Sequence, residues 1–155
     1  GEQTPGISLT PIKKLEIASA LDALGVMFIE AGFAAVSPGE FKAVALISEQ
    51  GFQAKIFSAT RGVLTDIDVA IDAGVDGVNI IIPTSKLHIQ KKLAKTQEEI
   101  LDITFQAVQH AKDRGVITEV CCEDGSRTEM EFLNKVISTA VAAGVDRVTP
   151  CDTVG

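Results

Sequence analysis

Five times along the 155 residues, an amphipathic stretch closes on a glycine and gives way to a short, mostly β-branched run. The pattern is clearest in Ala23-Leu24-Gly25-Val26-Met27-Phe28-Ile29, in Ala73-Gly74-Val75-Asp76-Gly77-Val78-Asn79-Ile80 and in Ala143-Gly144-Val145-Asp146-Arg147-Val148. Looser copies are Gln50-Gly51-Phe52-Gln53-Ala54-Lys55-Ile56-Phe57 and Arg114-Gly115-Val116-Ile117-Thr118-Glu119-Val120. Its physical reading is a helix ended by a left-handed glycine and then a buried strand. Helices are expected at roughly 11–24, 38–50, 63–73, 96–114 and 128–143, and strands near 26–31, 53–58, 77–82, 117–121 and 146–150. The helix starts carry their own signals. Thr10-Pro11 and Ser37-Pro38 each supply an N-cap and a first-turn proline, and Thr96-Gln97-Glu98-Glu99 reads as a capping box. Strict alternation of this kind requires a parallel sheet with right-handed crossovers.

Two architectures satisfy that rule: an open doubly wound sheet and part of a (β/α)8 barrel. The strand ends favour the barrel. Glu30-Ala31-Gly32, Ser58-Ala59-Thr60-Arg61, Pro83-Thr84-Ser85, Cys122-Glu123-Asp124 and Cys151-Asp152-Thr153 all carry polar or ionisable groups to one rim. An open sheet gathers its ligand contacts at one switch point, whereas a barrel draws on most of its strands. The chain opens on a loop, Gly1–Gly6, that enters a helix with no strand before it, and Gly155 follows a strand with no helix to cover it. A parallel sheet is stable only with both faces covered. The expected object is therefore a partial (β/α)8 TIM barrel of about five βα units, lacking the first strand and the last ones, with residues 1–155 a fragment of one barrel domain.

Composition narrows the function classes. Hydrophobic residues make up 46% of the chain, which argues for a packed core. The formal charge of −7 opposes nucleic acid and anionic membrane surfaces as partners. No apolar run approaches the length that spans a bilayer, and no secretory signal opens the chain. Cys121, Cys122 and Cys151 form neither a CxxC pair nor a disulfide framework, so a reducing cytoplasm is the simplest setting. Phosphate-cradling loops, GxSxG elbows and HExxH helices are all missing. His88 and His110 lack metal-ligand spacing; His110 reads as a surface residue and His88 as a structural loop residue.

Six segments carry the chemistry: Gly1-Glu2-Gln3-Thr4-Pro5-Gly6; Glu30-Ala31-Gly32-Phe33 with Ser37-Pro38-Gly39-Glu40-Phe41; Pro83-Thr84-Ser85-Lys86-Leu87-His88-Ile89; Lys92-Leu93; Glu123-Asp124-Gly125-Ser126-Arg127-Thr128; and Asp152-Thr153-Val154-Gly155. In order and spacing this set resembles the 2-isopropylmalate, citramalate and homocitrate synthases, metal-dependent barrel enzymes related to 3-hydroxy-3-methylglutaryl-CoA lyase. The resemblance spans essentially the whole chain and is nearest to 2-isopropylmalate synthase. It implies an acyltransferase that condenses acetyl-CoA with a 2-oxo acid and then hydrolyses the thioester. A divalent metal (Mg, Mn or Zn) would polarise the ketone. The family's metal ligands, an Asp before the position of Gly1 and a His-x-His pair after Gly155, are expected outside this chain, so no metal site and no turnover are expected of residues 1–155 alone.

The resemblance also assigns roles position by position. Glu123 matches an acid that orients or protonates near the 2-oxo acid and acetyl group, and Thr153 matches a Thr that hydrogen-bonds the substrate carboxylate. Gln3, Glu30, Arg61 and Thr84 fall at substrate-site positions, with Glu30 the acid that organises a family Arg. Plainer readings stand beside these. Glu123 and Asp124 also suit the start of the next helix; Arg127 suits an ion pair with a nearby acid. Lys86, Lys91, Lys92 and Lys95 suit either a solvated face or the phosphates of coenzyme A, and Cys121 and Cys122 read as packing residues. Glu119 is expected to repel the distal carboxylate of 2-oxoglutarate, while Cys121 and Ala59 suit an aliphatic substrate. That leaves 2-oxoisovalerate, with pyruvate (giving citramalate) as the alternative and homocitrate synthase or a carbon–carbon lyase less favoured. A cytoplasmic homodimer is the form the resemblance implies for the whole enzyme.

Overall fold

The computed structural model describes residues 4–155. Five helices alternate with five strands: α1 Pro11–Leu24, β1 Phe28–Gly32, α2 Pro38–Ser48, β2 Lys55–Arg61, α3 Leu64–Asp72, β3 Gly77–Pro83, α4 Gln97–Asp113, β4 Ile117–Glu123, α5 Met130–Ala142 and β5 Arg147–Pro150. The five glycines that define the repeat all lie in the left-handed region, at φ between 69° and 91°. The caps form as read: the Thr10 and Ser37 hydroxyls accept from Lys13 and Glu40 amides, and Thr96 with Glu99 makes a reciprocal capping box.

All strands run parallel, in the order β1-β2-β3-β4-β5. A doubly wound sheet reverses its order at a switch point; this one never does. Right-handed crossovers in an unreversed order put every helix on one face, and α1 packs on α2 and α4 on α5. The arrangement is that of a partial (β/α)8 barrel. The layer between helices and sheet holds Ile29, Ile56, Val78, Ile80, Ile82 and Val120 from the strands against Val44, Ile47, Ile67, Ile100, Val108 and Val136 from the helices, all 5% exposed or less. Burying each such side chain contributes about 1.5–3 kcal/mol.

Residues paired in register share a face. The face away from the helices therefore carries the chains Glu30–Phe57–Gly77, Ala59–Asn79–Glu119–Arg147 and Arg61–Ile81–Cys121–Thr149. At its floor the Phe57 ring meets Phe28 edge-on at 5.5 Å, and the Arg147 guanidinium lies 4.2 Å above the Phe28 ring. Cys122 is buried toward the helices and Cys121 is half-buried on the opposite face. Burial raises both thiols, to about 12 for Cys121 and about 11 for Cys122, so neither is poised as a nucleophile.

The departures from expectation lie in the connections. A 3-10 turn, Ala34–Val36, joins β1 to α2, and a π-type turn, His88–Lys92, follows β3. The last helix starts at Met130 rather than near 128, because left-handed Asp124 (φ 62°) leads into a 3-10 turn, Gly125–Arg127. Among the described residues no helix is long and apolar enough to cross a membrane.

Candidate active site

Glu123 ends β4 at the C-terminal rim with its side chain 21% exposed. Both carboxylate oxygens accept from the Lys92 ammonium, at 2.9 and 2.8 Å. His88 stands beside them, its Nδ1 3.6 Å from Glu123 Oε2 and its Nε2 3.9 Å from Asp124 Oδ2. These separations exceed hydrogen-bond length, and the buried Nδ1 has no hydrogen-bond partner among the described residues.

Asp124 is fully buried and does not cap a helix. Its carboxylate accepts two parallel bonds from Arg127, at 2.7 and 2.8 Å. Those bonds, a further one from Ser85 and the nearby charges of Arg127 and His88 hold its pKa down to about 2. A depressed carboxylate stabilises the fold fully above its usual value of 3.8 and loses that contribution as pH falls toward 2. Thermal melts between pH 7 and 2 should therefore show a smaller acid-dependent loss in Asp124→Asn, which starts lower at neutral pH, than in the wild type. Equal acid sensitivity in both proteins would refute the assignment.

The Asp124 backbone N–H donates to Thr153 Oγ1 at 2.8 Å, so the structure joins Thr153 to the Glu123-Asp124 corner. Thr84 lies beneath that corner. It is 1% exposed, its amide and hydroxyl both reach the Glu123 carbonyl at 3.0 Å, and its hydroxyl is 2.7 Å from that of Thr128. Arg61 is not brought to the corner. Its guanidinium is turned onto buried Asp66, in the first turn of α3, at 2.6 and 2.9 Å, and this pairing raises its pKa. Glu30, on the rim of β1, accepts from Asn79 Nδ2 across the sheet. Gln3 lies outside the described residues.

Three pairings add to the expected roles, those of Asn79, Lys92 and Glu119. Asn79 could have been found as the one polar residue in the run Gly77-Val78-Asn79-Ile80-Ile81-Ile82; its Oδ1 is buried without a partner among the described residues. Lys92 is half-exposed, yet its ammonium is paired with Glu123 at the rim. Glu119 is 7% exposed, accepts from the Thr149 hydroxyl and lies 3.6 Å from Arg147. Its charge is thus locally compensated, which weakens the expectation that it repels a distal carboxylate. A largely apolar groove of about 460 Å³ runs between α1 and β1, lined by Ile17, Leu21 and Ile29 among others, and reaches the rim at Glu30 rather than at Glu123.

Among the described residues no three His, Cys, Asp or Glu side chains converge as a metal donor set. Glu30, Glu123 and Asp124 are each engaged by Asn79, Lys92 and Arg127 instead.

The comparisons with known proteins bear on the fold and the family. Among solved structures, the HMG-CoA lyase of Bacillus subtilis superposes with a TM-score of 0.77 at 16% identity, over 96% of this chain and 53% of that one. The Brucella melitensis HMG-CoA lyase gives 0.78 at 17% identity, over 96% of this chain and 56% of that one. At that identity the likeness concerns the fold. Among curated proteins, the (R)-citramalate synthase and the 2-isopropylmalate synthase of Methanocaldococcus jannaschii are each 48% identical over the whole chain, and the homocitrate synthase of Methanopyrus kandleri is 50% identical. The chain spans 32%, 30% and 39% of those relatives. The HMGL-like family model matches residues 1–155, and the chain belongs to that family.

Proposed function

We propose that residues 1–155 form part of the catalytic barrel of an enzyme that condenses acetyl-CoA with a 2-oxo acid, working as a cytoplasmic homodimer when whole. The observation that carries the reading is the corner at the end of β4, where Glu123 is held at the rim by Lys92 and tied through Asp124 to Thr153. In the reaction the methyl carbon of acetyl-CoA loses a proton and adds to the ketone. Water then cleaves the thioester, releasing free coenzyme A and a 2-hydroxy diacid. A divalent metal would supply Lewis-acid polarisation of the ketone. The described residues do not assemble a donor set for it, and the roles below belong to side chains alone.

Glu123 orients the acetyl group and carries a proton at the reacting centre. The Thr153 hydroxyl already accepts from the Asp124 amide, which leaves its O–H free to donate to the substrate carboxylate. Asp124, clamped by Arg127 and Ser85, fixes the angle between the two. Glu30 and Arg61 line the rim further round, each set by its own partner; Thr84 supports Glu123 from below, and Gln3 is proposed as a further substrate contact.

The substrate side chain faces Cys121, Ile81 and Ala59, small or aliphatic groups sharing one face of the sheet. That favours 2-oxoisovalerate, giving 2-isopropylmalate, with pyruvate as the second reading. Free coenzyme A should be released by the whole protein with 2-oxoisovalerate in preference to pyruvate, and least with 2-oxoglutarate. A preference for pyruvate would move the assignment to citramalate synthase. Release with no acid, together with cleavage of a hydroxyacyl-CoA, would replace synthesis by lysis.

A further inference from the structure

The turn after β3 adopts backbone geometry that chains rarely use. His88–Lys92 form a π-type turn, a form concentrated at functional sites. Just behind it Ala94 holds a left-handed φ of 51°, which a residue with a side chain adopts only under constraint. The turn is pinned from beneath by Ile89, 2% exposed, whose amide donates to the Ser85 carbonyl and whose carbonyl accepts from Lys95. Core packing explains Ile89 but not what the turn does with its last residue.

Lys92 has 51% of its side chain in solvent, yet its ammonium reaches both oxygens of Glu123, 31 residues away. An ion pair this exposed adds little to folding stability. What it does add is geometry. Among the described side chains Lys92 alone stands within hydrogen-bond distance of the Glu123 carboxylate, since His88 remains 3.6 Å off. Lys86 and Lys95, the other paired lysines of the segment, are spent on Glu129 and Glu99, away from the corner.

We infer that Lys92 is a positioning residue, which the π-type turn after β3 delivers to the rim to fix the Glu123 carboxylate in one orientation. The inference rests on the reading of Glu123 as the group that meets substrate. Held by Lys92, the Glu123 carboxylate keeps Oε2 3.6 Å from the buried Nδ1 of His88, beside it rather than bonded to it.

The test compares Lys92→Met, Lys92→Arg and Lys135→Met, the last an exposed lysine paired with Glu131 on α5, in the whole protein. Lys92→Met should lower kcat roughly 10- to 100-fold while both KM values stay within about twofold, because a misplaced reacting group costs turnover rather than binding. Lys92→Arg should restore most of the rate, and Lys135→Met should match the wild type. Added to Glu123→Gln, Lys92→Met should cost nothing further, as expected of one coupled unit. A second readout needs no turnover. The Glu123 side-chain carboxyl carbon, assigned by NMR through Glu123→Gln, should give one sharp resonance in wild type and Lys92→Arg, and a displaced, broadened one in Lys92→Met. An unchanged resonance in Lys92→Met, or an undiminished kcat in an active protein, overturns the inference. If the wild type turns over no 2-oxo acid, the synthase reading falls while the resonance still decides the role of Lys92.

Discussion

Replacing Glu123 by Gln in the whole protein is expected to lower kcat for coenzyme A release by about 10²- to 10⁴-fold, the usual worth of a positioned acid–base group. The amide keeps the size and two polar atoms of the carboxylate but neither takes up a proton nor accepts at both atoms from Lys92. Binding should suffer less, since the substrate carboxylate is assigned to Thr153 and the substrate side chain to the face of Cys121, Ile81 and Ala59. The backbone of residue 123 is secured independently, its carbonyl accepting from the Thr84 amide and hydroxyl. A melting temperature close to wild type should therefore accompany the lost turnover. Full activity in Glu123→Gln would remove this residue from the chemistry and move attention to His88.

The largest effect on folding is expected at Gly77, where β3 begins on the face away from the helices. A Cβ there would lie 2.6 Å from two atoms of the Phe57 ring and 2.7 Å from the Ile117 carbonyl oxygen. The ring is 1% exposed and wedged against Phe28, and the carbonyl belongs to the adjacent paired strand, so neither yields easily. The position needs glycine for space rather than for backbone freedom. Overpacking of this kind destabilises by about 1–3 kcal/mol. In the whole protein, Gly77→Ala should melt below the wild type. Gly115→Ala, with nothing within 4 Å of its Cβ but a φ of 80°, isolates the purely conformational cost for comparison. A Gly77→Ala protein as stable as the wild type would mean that β3 and β4 shift apart without penalty.

What could be read from the sequence was local in origin. The glycine after each helix, the Thr10, Ser37 and Thr96 caps and the alternation of elements all arise within a few residues, and the structure reproduces them. The choice between an open sheet and a barrel was harder, because it depends on strand order, which no short window encodes. The connections were the least legible. The π-type turn has no periodicity to betray it, and it is held by burial of Ile89 against the core. The sequence groups Lys92 with three other lysines, suited to solvent or to coenzyme A phosphates, because its partner is 31 residues away. Arg61 is the opposite case. Asp66 lies five residues on, across the strand-to-helix turn, and that pairing was open to inspection in the sequence. For Asp124 the local signal misled. An acid ahead of a helix reads as a cap, but burial and the reach of Arg127 made it the anchor of a 3-10 turn.

The hydrogen bond from the Asp124 amide to the Thr153 hydroxyl bears on how substitutions at this corner combine. Thr153→Ala removes a candidate substrate donor and also strips a partner from the amide next to Glu123, while Asp124→Asn loosens the loop that presents the same amide. Single substitutions at 123, 124 and 153 will each register damage belonging in part to the others, so their effects summed will exceed that of the triple variant. The corner behaves as one mechanical part contributed by two strands, and its kinetics will report a single failure whichever end is cut.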